Sequence, residues 1–454
     1  YKYACKNTLG YIKELSGPAQ WQPELKLPDL IAQGHRICII KSADFSSSEI
    51  NGLQEIIKFS LMGTSEYIEQ LQKYEKVQEE IYSMLYQILG SLYEKGQSID
   101  DYIDLVLKSG ELNFKVMETL NKVHRNYYGC PEPSKVRTTP VKGKAILVTG
   151  NDYKTLENLL HSTEDKKINI YTHGEMISAH SYPEIKRHKH LIGYYGGKIK
   201  DSRKVLENFP GAVLITSSLT RGLGEIYRGR IFSTEDTAWP GIFSIDEDDF
   251  KMLINAAYDS QGFLEDMEAQ FITVGFGDKS INYYVNKIFK SINDEKLKHF
   301  IFICGCEDLN RESDYMDELL KLMPQNSIML TLACDKYRFS REKMGMVNDL
   351  PRIIDLGHYN DAFPAIKMAL SLAEKMDLSI SELPMSIIVS WNEQKAVAAL
   401  LSLLYLGFRN IKLGPILPAY LTPNLLDLLL DKFKIIKIST PQNDLDEIIR
   451  KLAS

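Results

Sequence analysis

The sequence predicts a multidomain α/β protein: an N-terminal helical domain followed by two parallel-sheet α/β domains. Three observations predict it. The chain has 454 residues, more than one ordinary core organises. Residues 48–128 carry apolar side chains at helical spacing. From residue 144 onward, short β-branched runs alternate with helical segments, as in βαβ units.

Residues 1–47 show no pattern that assigns a structure. The segment opens "YKYACKNTLG", which is polar and lacks the apolar stretch of a secretory leader. It does not begin with Met, so residue 1 need not be the native start. The helical region follows at 48–128. In "SSSEINGLQEIIKFSLMG" a serine group suits an N-cap, and Ile50, Leu53, Ile56, Ile57 and Leu61 form one stripe. "EYIEQLQKYEKVQEEIYSMLYQILGSLYEKG" and "SIDDYIDLVLKSGELNFKVMETLNKVHRNYY" continue the pattern, and their charged residues read as solvated faces.

"GCPEPSKVRTTPVKG" (129–143), rich in Pro, Gly and Lys, reads as a linker. The first α/β domain is expected over 144–290, with strands in "AILVTG", "INIYTHG", "AVLITSS" and "FITVGFG". The second is expected over 291–454, with strands in "FIFICG", "SIMLTLA", "RIIDLG", "SIIVSW", "NIKLG" and "IIKIS".

Composition excludes several functions. A formal net charge of −6 argues against a general nucleic-acid or anionic-membrane binder, since both need a basic face. No uninterrupted apolar run is long enough to span a bilayer. Six cysteines in so long a chain are not a disulfide framework, which points to a reducing cytoplasm. Walker A, HExxH and GxSxG motifs are absent. "GYYGG" (193–197) is a weak Gly-rich loop without the P-loop lysine.

Ligands of parallel α/β sheets bind beyond the C-terminal strand ends. The chemically unusual residues fall there. His173 and Glu175 follow "INIYT", and Ser217 and Ser218 end "AVLITSS". Cys304 and Cys306 end "FIFICGC", and Cys334 ends "LTLAC". His358, Tyr359 and Asn360 follow "RIIDLG", and Glu393 and Lys395 follow "SIIVSWN". Thiolates, imidazoles and carboxylates so placed can converge on one metal or cofactor. Each also has a plainer reading. A strand-end cysteine is often a small buried hydrophobe, His173 can simply bond a neighbouring loop, and Glu393 can begin a helix.

At these residues the chain resembles the hybrid-cluster (prismane) proteins, or hydroxylamine reductases, relatives of carbon monoxide dehydrogenase. The matching stretches run in order over roughly 45–454. They include "GCPEPSKVRTTPVKGKAILVTGND", "IYTHGEMISAHSYPEIKRHKHLIGYYGG", "RGRIFSTEDTAWPG", "LTLACDKYRF", "LPRIIDLGHYNDAFPAIKMALSLAE" and "LPMSIIVSWNEQKAVAALLSLLYLGFRNIKLGPILPAYLTPN". The resemblance implies an N-terminal helical domain and two Rossmann-like domains. It also implies two clusters: a simple iron–sulfur cluster on four N-terminal cysteines, and a mixed iron–sulfur–oxygen cluster between domains, held by one His, two Glu and four Cys.

Carried over residue by residue, the second ligand set divides. Glu175 in "THGEM", Cys306 in "CGCED", Cys334 in "LTLAC" and Glu393 in "SWNEQKA" match ligands, with Lys395 two residues on. The family's histidine is Asn151 here, its persulfide cysteine is Leu219, and a further cysteine is Tyr359. The N-terminal cysteines are not matched, for only Cys5 and Cys38 lie upstream. They are either lost or outside this stretch of the protein. Leucine cannot ligate iron, and a phenol is hard and normally protonated. Cys304 and His358 are the possible substitutes.

Two functions follow from this division. In the first, the fold persists, both clusters are lost and no cofactor is bound; the chain then acts as a binding or structural partner of an unidentified protein. In the second, an altered iron–sulfur or iron–sulfur–oxygen cluster sits in a rebuilt site on Glu175, Cys306, Cys334 and Glu393. The chain is then an oxidoreductase that reduces hydroxylamine, nitric oxide or a related small molecule, fed by a redox partner. Glu175, Glu393 and Lys395 are the candidate catalytic residues, and His173, His180, His358 and Tyr359 possible helpers.

Overall fold

The computed structural model describes residues 48–454 except 93, 95, 197–201, 217–228, 235–241, 277, 306–314, 333–344, 391–392, 415–416, 419 and 454. Three helices come first: α1 (Ser48–Gln72), α2 (Glu79–Ser91) and α3 (Ile99–Tyr128). Helix α3 begins on a capping box. Ser98 accepts from the Asp101 backbone, and the Asp101 side chain accepts from the Ser98 backbone. This satisfies two amide donors that no helical carbonyl can reach. Gly129, with φ at +81°, ends the helix.

Two sheets follow. The first contains β1 (Ser134–Arg137), β2 (Lys144–Thr149), β3 (Ile168–His173), β4 (Leu191–Tyr194), β5 (Ala212–Ile215), β6 (Ile231–Ser233), β7 (Phe243–Ser244) and β8 (Phe271–Val274). Its order is β7-β6-β5-β2-β3-β4-β1-β8. All neighbours run parallel except β8, which pairs antiparallel to β1 at the edge. The second contains β9 (His299–Gly305), β10 (Ser327–Leu332), β13 (Ile353–Asp355), β14 (Met385–Ser390), β15 (Ile411–Leu413) and β16 (Ile436–Lys437), in the order β13-β10-β9-β14-β15-β16 and wholly parallel. Central strands β2, β9 and β10 are buried along almost their full length, as continuous apolar runs covered on both faces must be.

The ten strand runs read from the sequence all form strands. The "FITV" run differs in direction: as β8 it is the antiparallel edge, with a mostly exposed face. Strands β1, β4, β6 and β7 lie outside those ten runs, β1 within the stretch that reads as a linker. They are only two to four residues long, too short for a period-2 pattern to register.

The helical layer seats on the second sheet through α11 (Gln394–Tyr405), which follows β14. Two glycines allow backbone contact. A Cβ on Gly63 of α1 would stand 2.5 Å from the Gln394 carbonyl oxygen, and one on Gly110 of α3 would stand 2.1 Å from that of Leu401. A buried polar seam joins the same three helices. Thr64 Oγ1 donates to Asn113 Oδ1 (3.1 Å), Asn113 Nδ2 to Ser402 Oγ (2.9 Å), and Ser402 Oγ to the Gly110 carbonyl (2.9 Å). A satisfied seam of this kind fixes the register of helices that apolar packing alone lets slide.

Helix α3 also meets the first sheet's helices through an aromatic cluster. His124 lies among Tyr74, Tyr128, Tyr153 and Tyr182, with ring centroids 5.0–6.1 Å away. Burial drives the imidazole down to about 3 from its ordinary 6.5, against a small opposing pull from Asp152. The folded chain therefore keeps His124 neutral where the unfolded chain takes up a proton. Between about pH 6.5 and 3 the unfolded state binds more protons, so stability falls as pH drops through that window; above it the term vanishes. His124→Phe removes this proton uptake. Its stability should fall less than the parent's between pH 7 and pH 5, by about 2 kcal/mol, read from urea unfolding at both pH values. Parallel losses in the two proteins would sink this assignment.

Candidate functional site

Strand order locates the site before any side chain is considered. In the first sheet the order reverses at β2, with β3 on one side and β5 on the other. In the second it reverses at β9, between β10 and β14. Crevices open at the C-terminal ends of such strands. Asn151 follows β2, Glu175 follows β3, His358 and Tyr359 follow β13, and Glu393 follows β14.

Four of these elements bring their side chains together. Glu175 lies in a 3₁₀ segment (Gly174–Ser181) and is buried. Its Oε2 is 2.7 Å from His358 Nδ1 and 3.6 Å from Lys395 Nζ. Lys395, on the first turn of α11, is 1% exposed and also reaches Glu393 Oε1 at 3.9 Å. Its nearest carboxylate comes from the helical layer: Glu66 Oε1 of α1, at 2.7 Å. Asn151 Nδ2 donates to the same Glu66 oxygen at 2.7 Å. Asn360 Nδ2 donates to the Asn151 carbonyl (3.1 Å) and to Gln70 Oε1 (2.9 Å). The Lys395 ammonium also stands 5.7 Å over the Tyr67 ring, a cation–π arrangement.

The loop geometry explains why His358 points inward. His358 and Asp361 form a reciprocal capping box around the turn Tyr359–Asp361. Tyr182 donates to Asp361 Oδ1 at 3.0 Å, tying the turn to the first α/β unit. Gly357 permits the bend, with φ at +100°.

Electrostatics separate the two carboxyl groups. Burial alone would raise Glu175, but His358 and Lys395 outweigh it and hold the group below the usual carboxylate range. Glu393 goes the other way. Its removal from water, with Glu175 and Glu66 nearby, raises it despite the pull of Lys395. The two carboxyl groups are thus pushed in opposite directions, Glu175 down and Glu393 up. Glu393 flanks α11 without capping it, so its side chain is not spent on starting the helix.

The other candidates are distributed as follows. His173 is held by its own sheet, with Nδ1 3.0 Å from the Tyr195 carbonyl oxygen. His180 Nε2 lies 2.9 Å from Thr172 Oγ1. Neither pairs with the Glu175 cluster among the described contacts. Cys304 is buried in β9 within the main core. Tyr359 is wholly buried beside His358, with ring centroids 5.1 Å apart. Cys306, Cys334, Leu219, Ser217 and Ser218 lie outside the described residues. Among the described residues, no three His, Cys, Asp or Glu side chains are placed to hold a metal ion by themselves.

Glu66 was not legible as a site residue. It sits in "SEYIEQLQ", a charged stretch that reads as a solvated face. The usable signal was Gly63 one turn earlier: Gly63, Tyr67 and Gln70 share a stripe, and a glycine there marks a close helix contact with Glu66 at its edge.

The Prismane/CO dehydrogenase family matches residues 7–446 of the chain. The chain belongs to that family. The hydroxylamine reductase of Thermodesulfovibrio yellowstonii is 38% identical over 97% of this chain and 82% of its own length. That of Methanocella arvoryzae is 37% identical over 99% and 82%. Among solved structures, carbon monoxide dehydrogenase IV from Carboxydothermus hydrogenoformans superposes with a TM-score of 0.66 at 13% identity, covering 99% of this chain and 81% of that one. An acetyl-CoA synthase/carbon monoxide dehydrogenase described with NiZn[Fe4S4] and NiNi[Fe4S4] clusters superposes at 0.64 with 14% identity, covering 98% and 76%. At such identities these structures establish the shared fold.

Membership of the prismane family corrects the expectation that no cofactor is bound, because the family points to iron–sulfur clusters. That expectation equated lost thiolates with lost metal. Iron also accepts imidazole and carboxylate donors, and the chemistry of the described donor set fits it: the ionised Glu175 and the imidazole of His358 face each other in a buried cleft.

Proposed function

We propose that this prismane-family chain is a redox enzyme with a rebuilt metal site between its two α/β units, and that it reduces hydroxylamine or a related small molecule such as nitric oxide. The observation that carries this reading is the cluster of Glu66 and Glu393 around the buried Glu175, His358 and Lys395, drawn from three parts of the fold. The hydroxylamine reductase relatives support it.

Glu175, Glu393, Cys306 and Cys334 would hold the cluster, with His358 and Cys304 as substitutes for missing ligands. When bound, the group supplies electrons for reductive cleavage of the substrate, delivered from a separate redox protein. The chain's own residues supply the rest. Reducing hydroxylamine to ammonia and water consumes two electrons and two protons. Lys395 holds a proton on Nζ beside Glu175. Burial of Lys395, His358 and Tyr359 excludes bulk water, which strengthens each charge interaction.

Anaerobically purified protein tests the reading. It should contain iron and sulfide at several equivalents and release ammonia from hydroxylamine with a reduced viologen as donor. Glu175→Gln should lower iron retention and ammonia release together. Protein that stays metal-free after anaerobic reconstitution sinks the proposal. So does iron-loaded protein that forms no ammonia.

A further inference from the structure

The first sheet has a second opening, built from residues outside the Glu175 cluster. Strands β1 and β4 run parallel but register at a single pair, Arg137 with Gly193, whereas β1 registers with β8 over four pairs. Beside that short seam lies a cavity of about 440 Å³, within the roughly 300–1,000 Å³ of small-molecule sites.

Its charge is one-sided. Lys135, Arg137, Lys186 and Lys189 all line it, and none of the lining residues among those described is acidic. The whole chain carries −6, so this wall reverses the general field. The four cations are held differently. Arg137 is anchored on backbone carbonyls, donating Nε to Thr139 (2.9 Å) and Nη2 to Pro140 (3.3 Å). Lys186 donates to Glu132 and to Ser134 Oγ at 3.2 Å. Lys135 and Lys189 are exposed.

The rest of the wall suits a ring. Leu191 and Ile192 contribute apolar surface. Phe271, on edge strand β8, lines the cavity and is 56% exposed, which leaves its ring face open to a ligand. The buried His180 adds a neutral wall, fixed by Thr172.

We propose that this cavity is a binding site for a small phosphorylated ligand with a planar ring, of the mononucleotide class. The phosphate would sit against Lys135, Lys186 and Lys189, where charge-assisted contacts are strongest, and the ring against Phe271. The site is independent of the redox reading and stands or falls separately.

Isothermal titration of the full chain with AMP, adenosine and inorganic phosphate tests it. AMP should bind one per chain. Adenosine should bind at least about tenfold more weakly, as should AMP to the Lys135→Glu/Lys189→Glu variant. Phe271→Ala should weaken AMP but leave inorganic phosphate unchanged. Lys135, Lys189 and Phe271 are exposed, so unchanged circular dichroism and melting temperature would show that the variants fold. No saturable binding at millimolar AMP overturns the proposal, as does affinity unaffected by the double charge reversal. Adenosine as tight as AMP removes the phosphate site, and phosphate as tight as AMP removes the ring site.

Discussion

Lys395→Met should destabilise the protein by about 3–5 kcal/mol, the loss seen when one partner of a buried ion pair is removed. Methionine roughly keeps the volume, so the change isolates the charge. Lys395 is 1% exposed and its ammonium stands 2.7 Å from Glu66 and 3.6 Å from Glu175. Glu175 is buried, and without the ammonium it keeps His358 Nδ1, 2.7 Å away, as its partner among these contacts. Glu66 is a third exposed, so water screens it and its share is small. Glu66→Gln alone should therefore lose only about 1 kcal/mol. Glu175→Gln combined with Lys395→Met should recover part of the loss, because both charges leave together. Urea unfolding of the three variants gives the measurement. A Lys395→Met protein within about 1 kcal/mol of the parent would mean that the ammonium does not balance the cluster.

Gly63→Ala and Gly110→Ala are the second pair of large effects. Inside an exposed helix, alanine for glycine stabilises by about 1 kcal/mol. Here the sign should reverse. The added methyl would meet backbone, which cannot swing aside: Gln394 O at 2.5 Å for Gly63 and Leu401 O at 2.1 Å for Gly110. Separating packed helices costs about 1–3 kcal/mol or more, which exceeds the propensity gain. The two positions should differ in a second readout. A Cβ on Gly63 would also stand 2.8 Å from the Lys395 backbone nitrogen, so the substitution moves the helix start that carries Lys395 and should also lower metal retention. Gly110 touches α11 farther along and should mainly lower stability. A melting temperature raised by either change would mean that the helices do not approach so closely.

These effects show where the sequence was informative. The central strands were legible because parallel strands covered on both faces need unbroken apolar runs, and "AILVT" and "FIFIC" leave little alternative. Strands β6 and β7 were not, since three and two residues form a strand only when a neighbour supplies the pairing. The direction of β8 was hidden for the same reason, because direction is a property of the pair. At the site, Glu175, Glu393, Lys395 and His358 were found through strand-end position and motif. Glu66 escaped because its helix is charged around it, and only the fold shows that Lys395 lies above it.

The sequence by itself determined the family, the α/β class and the places along the chain where chemistry could sit. Those depend on local order: apolar runs, capping residues and motif spacing. Tertiary structure alone decided which of those places meet. Glu175 and His358 are 2.7 Å apart, though more than a domain of chain separates them. Burial pushes the Glu393 carboxyl up, whereas His358 and Lys395, brought in from other elements, hold Glu175 down. Ionisation follows the local field and exclusion of water, which arise only once the layers have packed.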